Sequence, residues 1–357
     1  MPNPELEEQA SERPESPAPE SEAAIEPEAE PEVEVESEPE TEPESAAKPP
    51  RGRLRTAAVA TGTVLLLGGG TLLAILGAGG FSSDPEPDLK QVPAAYRDLA
   101  AKLPWPHGGE TALWAAGIGD LGTCGEQKAV PIASVAKVMT AYVVLKDHPL
   151  ADGQTGPSIL VDHQAELESF NRDESSAPVH AGQRLSERAL LELMLVPSAN
   201  NVARLLARWD AGTQDAFVAE MNAASASLGM KDTVYTDPSG FDSDTRSTAA
   251  DQLKLAEAAL TDPTLLALTA EPVAQVPDSP TVLPNTNQLL GYDGVVGGKT
   301  GSSTPAGGAL MFAAHRTLNG EDRLVLGVVL HQNSGSSPDQ GLGTALIVSR
   351  RLVDAVE

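Results

Sequence analysis

Apolar and polar positions follow three different rhythms along the chain. Residues 1–47 gather almost no aromatic side chains and no apolar periodicity. From Thr56 to Ser83 no charge appears, and residues 57–80 are rich in Leu, Ala and Gly. That run exceeds the roughly 20 residues a helix needs to span a bilayer. Beyond it the pattern is that of a folded domain. Residues 111–118 suit a strand. Residues 134–145 suit a helix whose apolar positions, Val135, Val138, Met139, Tyr142 and Leu145, wrap much of its surface, as a buried helix requires. Further helices are expected over 185–195, stopped by Pro197, over 200–209, over 216–228 with Gly229 as its C-cap, and over 248–260. Near the end, strands over 308–316 and 323–331 flank Asn319-Gly320, a hairpin signal, and residues 343–356 read as a last helix.

Helices dominate the middle and strands gather at both ends. The terminal strands are therefore expected to share one antiparallel sheet, flanked by helices, with an all-helical lobe beside it: an α/β fold. Between the apolar run and the domain, residues 82–105 read as a linker, stiffened by Asp84-Pro85-Glu86-Pro87 and carrying a short helix over 92–103. The chain so divides into a tail (1–55), an apolar span (56–81), the linker (82–105) and a catalytic-size domain (106–357).

Charge sharpens this division. The net charge is −27, and the first 47 residues hold 17 Glu, no Asp and one basic residue, Arg13. Such a segment buries too little apolar surface to offset the chain entropy lost on folding, which predicts a disordered, solvated tail. Lys48, Arg51, Arg53 and Arg55 precede the apolar run, and Asp84, Glu86 and Asp88 follow it. This asymmetry predicts a single-pass anchor in the cell membrane with the N-terminus cytoplasmic and the domain outside. A cleavable signal peptide is the rival reading, but its basic region would be about 55 residues long and its apolar core too long. Residues 84–357 carry 34 acids against 19 bases, which argues against nucleic acid as a partner. Cys124 is the only cysteine, so no disulfide can form within the chain.

Three short motifs carry the candidate chemistry: Ser134-Val135-Ala136-Lys137, Ser198-Ala199-Asn200 and Lys299-Thr300-Gly301. On a helix Ser134 and Lys137 share one face. A buried lysine whose pKa falls from about 10.4 to near 7 becomes a neutral amine able to deprotonate the serine. Alone, Ser134 reads as an N-cap and Asn200 as a capped helix start. Lys299 and Thr300 follow an apolar strand, where they can grip a carboxylate while the strand edge pairs with an extended peptide. A phosphate loop ending in Gly298-Lys299-Thr300 would need Gly at position 293, which is Asp. The six histidines show no metal-ligand spacing, no G-x-S-x-G elbow exists, and Asp162-His163 reads as an exposed loop pair. Neither metal nor cofactor is expected.

Beyond the three motifs, Ile132-Ala133-Ser134 leads to Met139-Thr140-Ala141-Tyr142, and Phe217-Val218-Ala219-Glu220-Met221-Asn222 runs through Leu228-Gly229-Met230 to Asp237-Pro238-Ser239-Gly240 and Ser247-Thr248-Ala249-Ala250-Asp251. On these stretches residues 106–345 resemble the low-molecular-mass penicillin-binding proteins, the serine D-alanyl-D-alanine carboxypeptidases. The resemblance implies a DD-peptidase/β-lactamase-like fold and action on peptidoglycan peptide stems, with β-lactam antibiotics as inhibitors. It implies acylation of Ser134, Lys137 as base, and Ser198 and Asn200 as proton relay and substrate-amide contact. Lys299 and Thr300, next to Gly301, would hold the terminal carboxylate, and the backbone N–H groups of Ser134 and Ser302 would form the oxyanion hole. Two departures from the family stand out: Asn201 stands where many relatives have Asp, and Ser302-Ser303 where many have an aromatic or His. A β-lactamase would share the three motifs, but its deacylating E-x-x-L-N glutamate is absent. The other alternative is a wall-binding scaffold whose Glu-rich tail recruits a cytoplasmic partner.

Overall fold

The computed structural model describes residues 86–151 and 153–357. The tail, its basic end and the expected apolar span at 56–81 lie outside the described residues. Among the described residues no helix is long and apolar enough to cross a membrane.

In chain order the described strands are β1 (Glu110–Ala115), β2 (Gly119–Cys124), β3 (Val130–Pro131), β4 (Ser158–Leu160), β5 (Arg184–Ser186), β6 (Arg246–Ser247), β7 (Val273–Gln275), β8 (Val282–Pro284), β9 (Val295–Ser303), β10 (Gly307–Leu318) and β11 (Glu321–Gln332). The α-helices are α1 (Arg97–Lys102), α2 (Lys137–Asp147), α3 (His163–Ser169), α4 (Glu187–Leu195), α5 (Asn200–Ala211), α6 (Gln214–Ser227), α7 (Ala249–Leu260), α8 (Pro263–Ala270) and α9 (Pro338–Ala355).

Five strands form one antiparallel sheet in the order β2-β1-β11-β10-β9, so strands from both ends of the domain do share a sheet. The hairpin expected at Asn319-Gly320 joins β10 to β11, with Leu318 opposite Glu321. Both turn residues have positive φ, 53° and 80°, the backbone that a tight two-residue hairpin turn demands and that Asn and Gly adopt at least cost.

Strand periodicity explains why the sheet is covered on both faces. Along β10, Ala309, Met311 and Ala313 point into the larger core, shared with helices α2 and α4 to α8. Leu310, Phe312 and Ala314 point the other way, into a second core completed by α9. Successive side chains alternate faces, so a strand buried on both sides reads as a continuous apolar run.

Several boundaries differ from the sequence expectation, each for a local reason. The helix expected from 185 begins at Glu187, because Leu185 pairs within β5 and Ser186 serves as N-cap, accepting from the Ala189 N–H. The last helix starts at Pro338, ahead of the expected 343, set by a capping box between Ser337 and Gln340 with Pro at the first turn. The linker expected at 82–105 is not a free tether from residue 88 onward. Asp88 exchanges backbone hydrogen bonds with Thr123 of β2 at 2.7 and 3.2 Å, and Val92, Leu103 and Trp105 are buried. The indole of Trp105 donates to the Ala100 carbonyl at 2.8 Å. Proline stiffness suggested a spacer, but Leu103 and Trp105 close the second core.

Candidate active site

The three motifs converge although 64 and 99 residues separate Ser134 from Ser198 and Asn200 from Lys299. Ser134 lies in a 3-10 turn, Ala133–Ala136, that leads directly into α2. Ala133 just before it has φ 46°, a left-handed backbone that costs an alanine on the order of 1–3 kcal/mol. Lys137 opens α2 and is fully buried. Its Nζ stands 2.9 Å from Ser134 Oγ, 2.6 Å from Asn200 Oδ1 and 2.8 Å from the Ser239 carbonyl oxygen.

Burial first, and then the field of Lys299, holds the Lys137 amine well below the ordinary lysine range. Arg204 acts in the same direction, whereas Asp237 and Glu174 oppose it. The Ser239 carbonyl is aimed by Asp237, whose carboxylate accepts from the Ser239 N–H and hydroxyl, the Phe241 N–H and the Thr245 hydroxyl. Thr140, one turn along α2, fastens the same loop by donating to the Pro238 carbonyl at 2.6 Å.

Ser198 follows the helix breaker Pro197 and has φ 70°. Its hydroxyl is buried without a hydrogen-bond partner among the described residues. Leaving such a group unpaired costs about 1–3 kcal/mol, so folding alone does not account for a hydroxyl here. Asn200 is the first residue of α5 and not its cap, which is Ala199 without any side-chain cap bond. The Asn200 carboxamide turns instead to Lys137. Asn201 points elsewhere. It accepts from the Ala177 N–H at 3.0 Å and donates to the Ala165 and Ala177 carbonyls at 3.1 and 2.9 Å. A carboxylate cannot make the two donations, which accounts for Asn at this position.

β9 supplies Lys299, Thr300, Gly301, Ser302 and Ser303. Burial lowers Lys299 to about 7. Thr300 Oγ1 lies 2.6 Å from Thr286 Oγ1, a neighbour that no sequence motif marked. A methyl on Gly301 would sit 2.8 Å from the Ile132 carbonyl oxygen and 3.1 Å from the Ser134 amide nitrogen. Absence of a side chain thus lets the strand close on the turn that carries Ser134. Ser302 and Ser303 complete the strand opposite Gly308 and Gly307.

Other candidate chemistries stay outside this cleft. Asp162 caps α3 and pairs with Arg208, while the His163 side chain is 74% exposed. Burial pushes the Cys124 thiol up, away from thiolate chemistry. Asp147, Asp210 and Glu220 bring carboxylate oxygens within 4.8 Å of one another. Asp147 ends the helix that Lys137 begins, so this trio stands about 15 Å from the amine along the helix axis.

The arrangement sets a serine hydroxyl against a buried amine of lowered pKa, the pairing that serine acyl transfer with an amine base requires. Comparisons with known proteins point the same way. A family model described as D-alanyl-D-alanine carboxypeptidase matches residues 122–334. The D-alanyl-D-alanine carboxypeptidase DacB2 of Mycobacterium tuberculosis is 36% identical over 205 residues, 56% of this chain and 66% of that protein. A D-alanyl-D-alanine endopeptidase of Pseudomonas aeruginosa is 37% identical over 166 residues, 45% of this chain and 51% of that protein. The matched part spans about half to two thirds of those relatives' own length. Among solved structures, a D-alanyl-D-alanine carboxypeptidase from Mycobacterium tuberculosis superposes with a TM-score of 0.57 at 29% identity, over 69% of this chain and 92% of that one. A Streptomyces DD-transpeptidase shares the fold at 23% identity with a TM-score of 0.59, over 69% of this chain and 95% of that one.

Proposed function

Because the chain belongs to the D-alanyl-D-alanine carboxypeptidase family through its match over residues 122–334, we propose that it is a serine-type D-Ala-D-Ala carboxypeptidase. It removes the terminal D-Ala from peptidoglycan stem pentapeptides and is inhibited by penicillin. The observation that carries this reading is the surroundings of Lys137. A neutral amine has two N–H donors and one lone pair, and two of its three neighbours, Asn200 Oδ1 and the Ser239 carbonyl, can only accept. They take both N–H groups. The lone pair is left for the Ser134 hydroxyl 2.9 Å away, which is what a general base needs.

The reaction follows from that geometry. Ser134 Oγ attacks the carbonyl of the penultimate D-Ala as its proton passes to Lys137. The Ser134 and Ser302 N–H groups receive the oxyanion. Collapse breaks the peptide bond, and the proton returns through the Ser198 hydroxyl to the departing D-Ala amine, leaving an ester on Ser134. Water then attacks the ester and gives its proton back along the same path. Lys299 and Thr300 hold the terminal carboxylate, whose charge stabilises the Lys299 ammonium that burial alone would discharge.

The domain works outside the cell. A cytoplasmic tail, the basic cluster and a single membrane span at 56–81 precede it, a reading supported by the uncharged run and the order of charges around it. The Glu-rich tail is then free to meet a cytoplasmic partner. The reaction is tested by incubating the protein with a peptide ending in D-Ala-D-Ala and, separately, with fluorescent penicillin. The peptidase reading requires release of D-Ala and a persistent label. Rapid loss of label would make the protein a β-lactamase, and absence of both signals would leave a scaffold.

A further inference from the structure

A charged chain lies behind the site, and none of the three motifs accounts for it. Asn200 Nδ2 donates to Glu174 Oε2 at 2.6 Å, while Asn200 Oδ1 accepts from Lys137 on its other side. Glu174 comes from the loop after α3, and its side chain is 3% exposed. Arg204, one turn into α5, grips the same carboxylate at 2.6 and 3.0 Å and also holds Glu168 at 2.8 Å. Asn171 Nδ2 adds a further donor to Glu174 Oε1 at 3.0 Å. The loop is pinned to the start of α5 by the Asn200 N–H on the Ser175 carbonyl, 2.8 Å, and by the Asn201 contacts to Ala177.

Each Glu174 oxygen thus has two donors. A carboxylate so saturated is not a base for water. Burial would raise it, but Arg204 and then Asn200 outweigh that and hold it below the ordinary carboxylate range, so it is not an acid near neutrality either. What it can do is decide which way the Asn200 carboxamide faces. With Oδ1 toward Lys137, the amine keeps its lone pair for Ser134. With the carboxamide reversed, an N–H would point at Lys137 and take that lone pair, and Oδ1 would face a carboxylate. The anion forbids the second arrangement.

We propose that Glu174 is a positioning residue for acyl transfer: through the Asn200 carboxamide it keeps an acceptor against Lys137 and thereby leaves the amine's lone pair directed at Ser134. This rests on the reading of Lys137 as general base, and the test separates the two. Acylation of Ser134 by fluorescent penicillin is timed in the full chain, in Glu174→Ala, in Asn200→Ala and in the double variant. Glu174→Ala should slow acylation about 10- to 100-fold, the scale of a misplaced catalytic group. In the Asn200→Ala background the same change should alter the rate by no more than about 2-fold, since its effect passes through that side chain. Parental-rate labelling of a folded Glu174→Ala, or an equal slowing in both backgrounds, overturns the inference while leaving the base reading intact. No label on Ser134 of the parent sinks both.

Should Glu174→Ala fail to fold, Glu174→Gln keeps the size and carries the test through its pH profile. The charged groups that act on Lys137 are Lys299 and Arg204, which lower it, and Asp237 and Glu174, which raise it. Removing the Glu174 charge alone should move the acid limb of acylation to lower pH and reduce its plateau. A purely structural loss would reduce the amount of active protein and leave the limb in place, and an unmoved limb overturns the inference.

Discussion

The proposed role of Lys299 would tie substrate recognition to pH in a way that a surface lysine would not. Burial lowers it to about 7, yet its role needs the ammonium. Above that pH the free enzyme loses the cation that attracts the substrate carboxylate, so kcat/KM should fall as pH rises through about 7. A bound carboxylate favours the ammonium, so kcat should persist to higher pH than kcat/KM. Initial rates on a D-Ala-D-Ala peptide between pH 6 and about 9.5 would show it; a kcat/KM flat across that window would contradict the assignment. At this scale the sequence was informative where chemistry fixes spacing. Ser134, Lys137, Ser198, Asn200, Lys299 and Thr300 stand in recognisable triplets and quartets. Glu174 and Thr286 do not, because each reaches the site from a loop without periodicity and is placed by tertiary hydrogen bonds, and the Ser239 stretch was recognisable without revealing that its carbonyl faces Lys137.

Elements were legible to the extent that their apolar period was unbroken. α2, α5, α6 and α7, and the hairpin at Asn319-Gly320, lie where the pattern put them. Boundaries failed where one residue type serves two structures. Leu185 continues a helical stripe but sits in β5, and Gly341 concealed the first turn of α9. The start of the short helix α3 was read as an exposed loop at Asp162-His163, although Asp162 caps that helix, and the loop behind it was not marked; here Asn201 is the structural key. It ties α5 to Ala165 and Ala177 through two donated hydrogen bonds that Asp cannot make. Asn201→Asp should therefore destabilise this protein by about 1–3 kcal/mol by leaving buried carbonyls unpaired. A urea melt reads the change directly. A variant as stable as its parent would mean that the loop re-pairs without cost.

At the scale of the whole molecule, the sequence predicted a sheet shared between the chain's strand-rich ends, and the five-stranded order β2-β1-β11-β10-β9 is that sheet. It did not predict that residues 88–105 close the second core, since Pro-Glu-Pro dominated the reading of that segment. Membrane topology is a separate claim that rests on charge order around residues 56–81. Protease added to intact cells should digest the domain and spare the Glu-rich tail; a protected domain with a digested tail would reverse the orientation. The central claim is that one buried neutral amine makes Ser134 a nucleophile. Its most direct test is mass spectrometry of the penicillin-treated protein, followed over time and mapped to residue, in the parent and in Lys137→Arg. A guanidinium would preserve the charge of a structural cation but cannot lose its proton near neutrality, and general-base assistance contributes about 10² to 10⁴ in rate. The parent should carry a single penicilloyl adduct on Ser134, and the Arg variant should acquire it slower by at least the lower of those factors. An adduct on any other residue, or acylation of Lys137→Arg at the parental rate, would contradict the account.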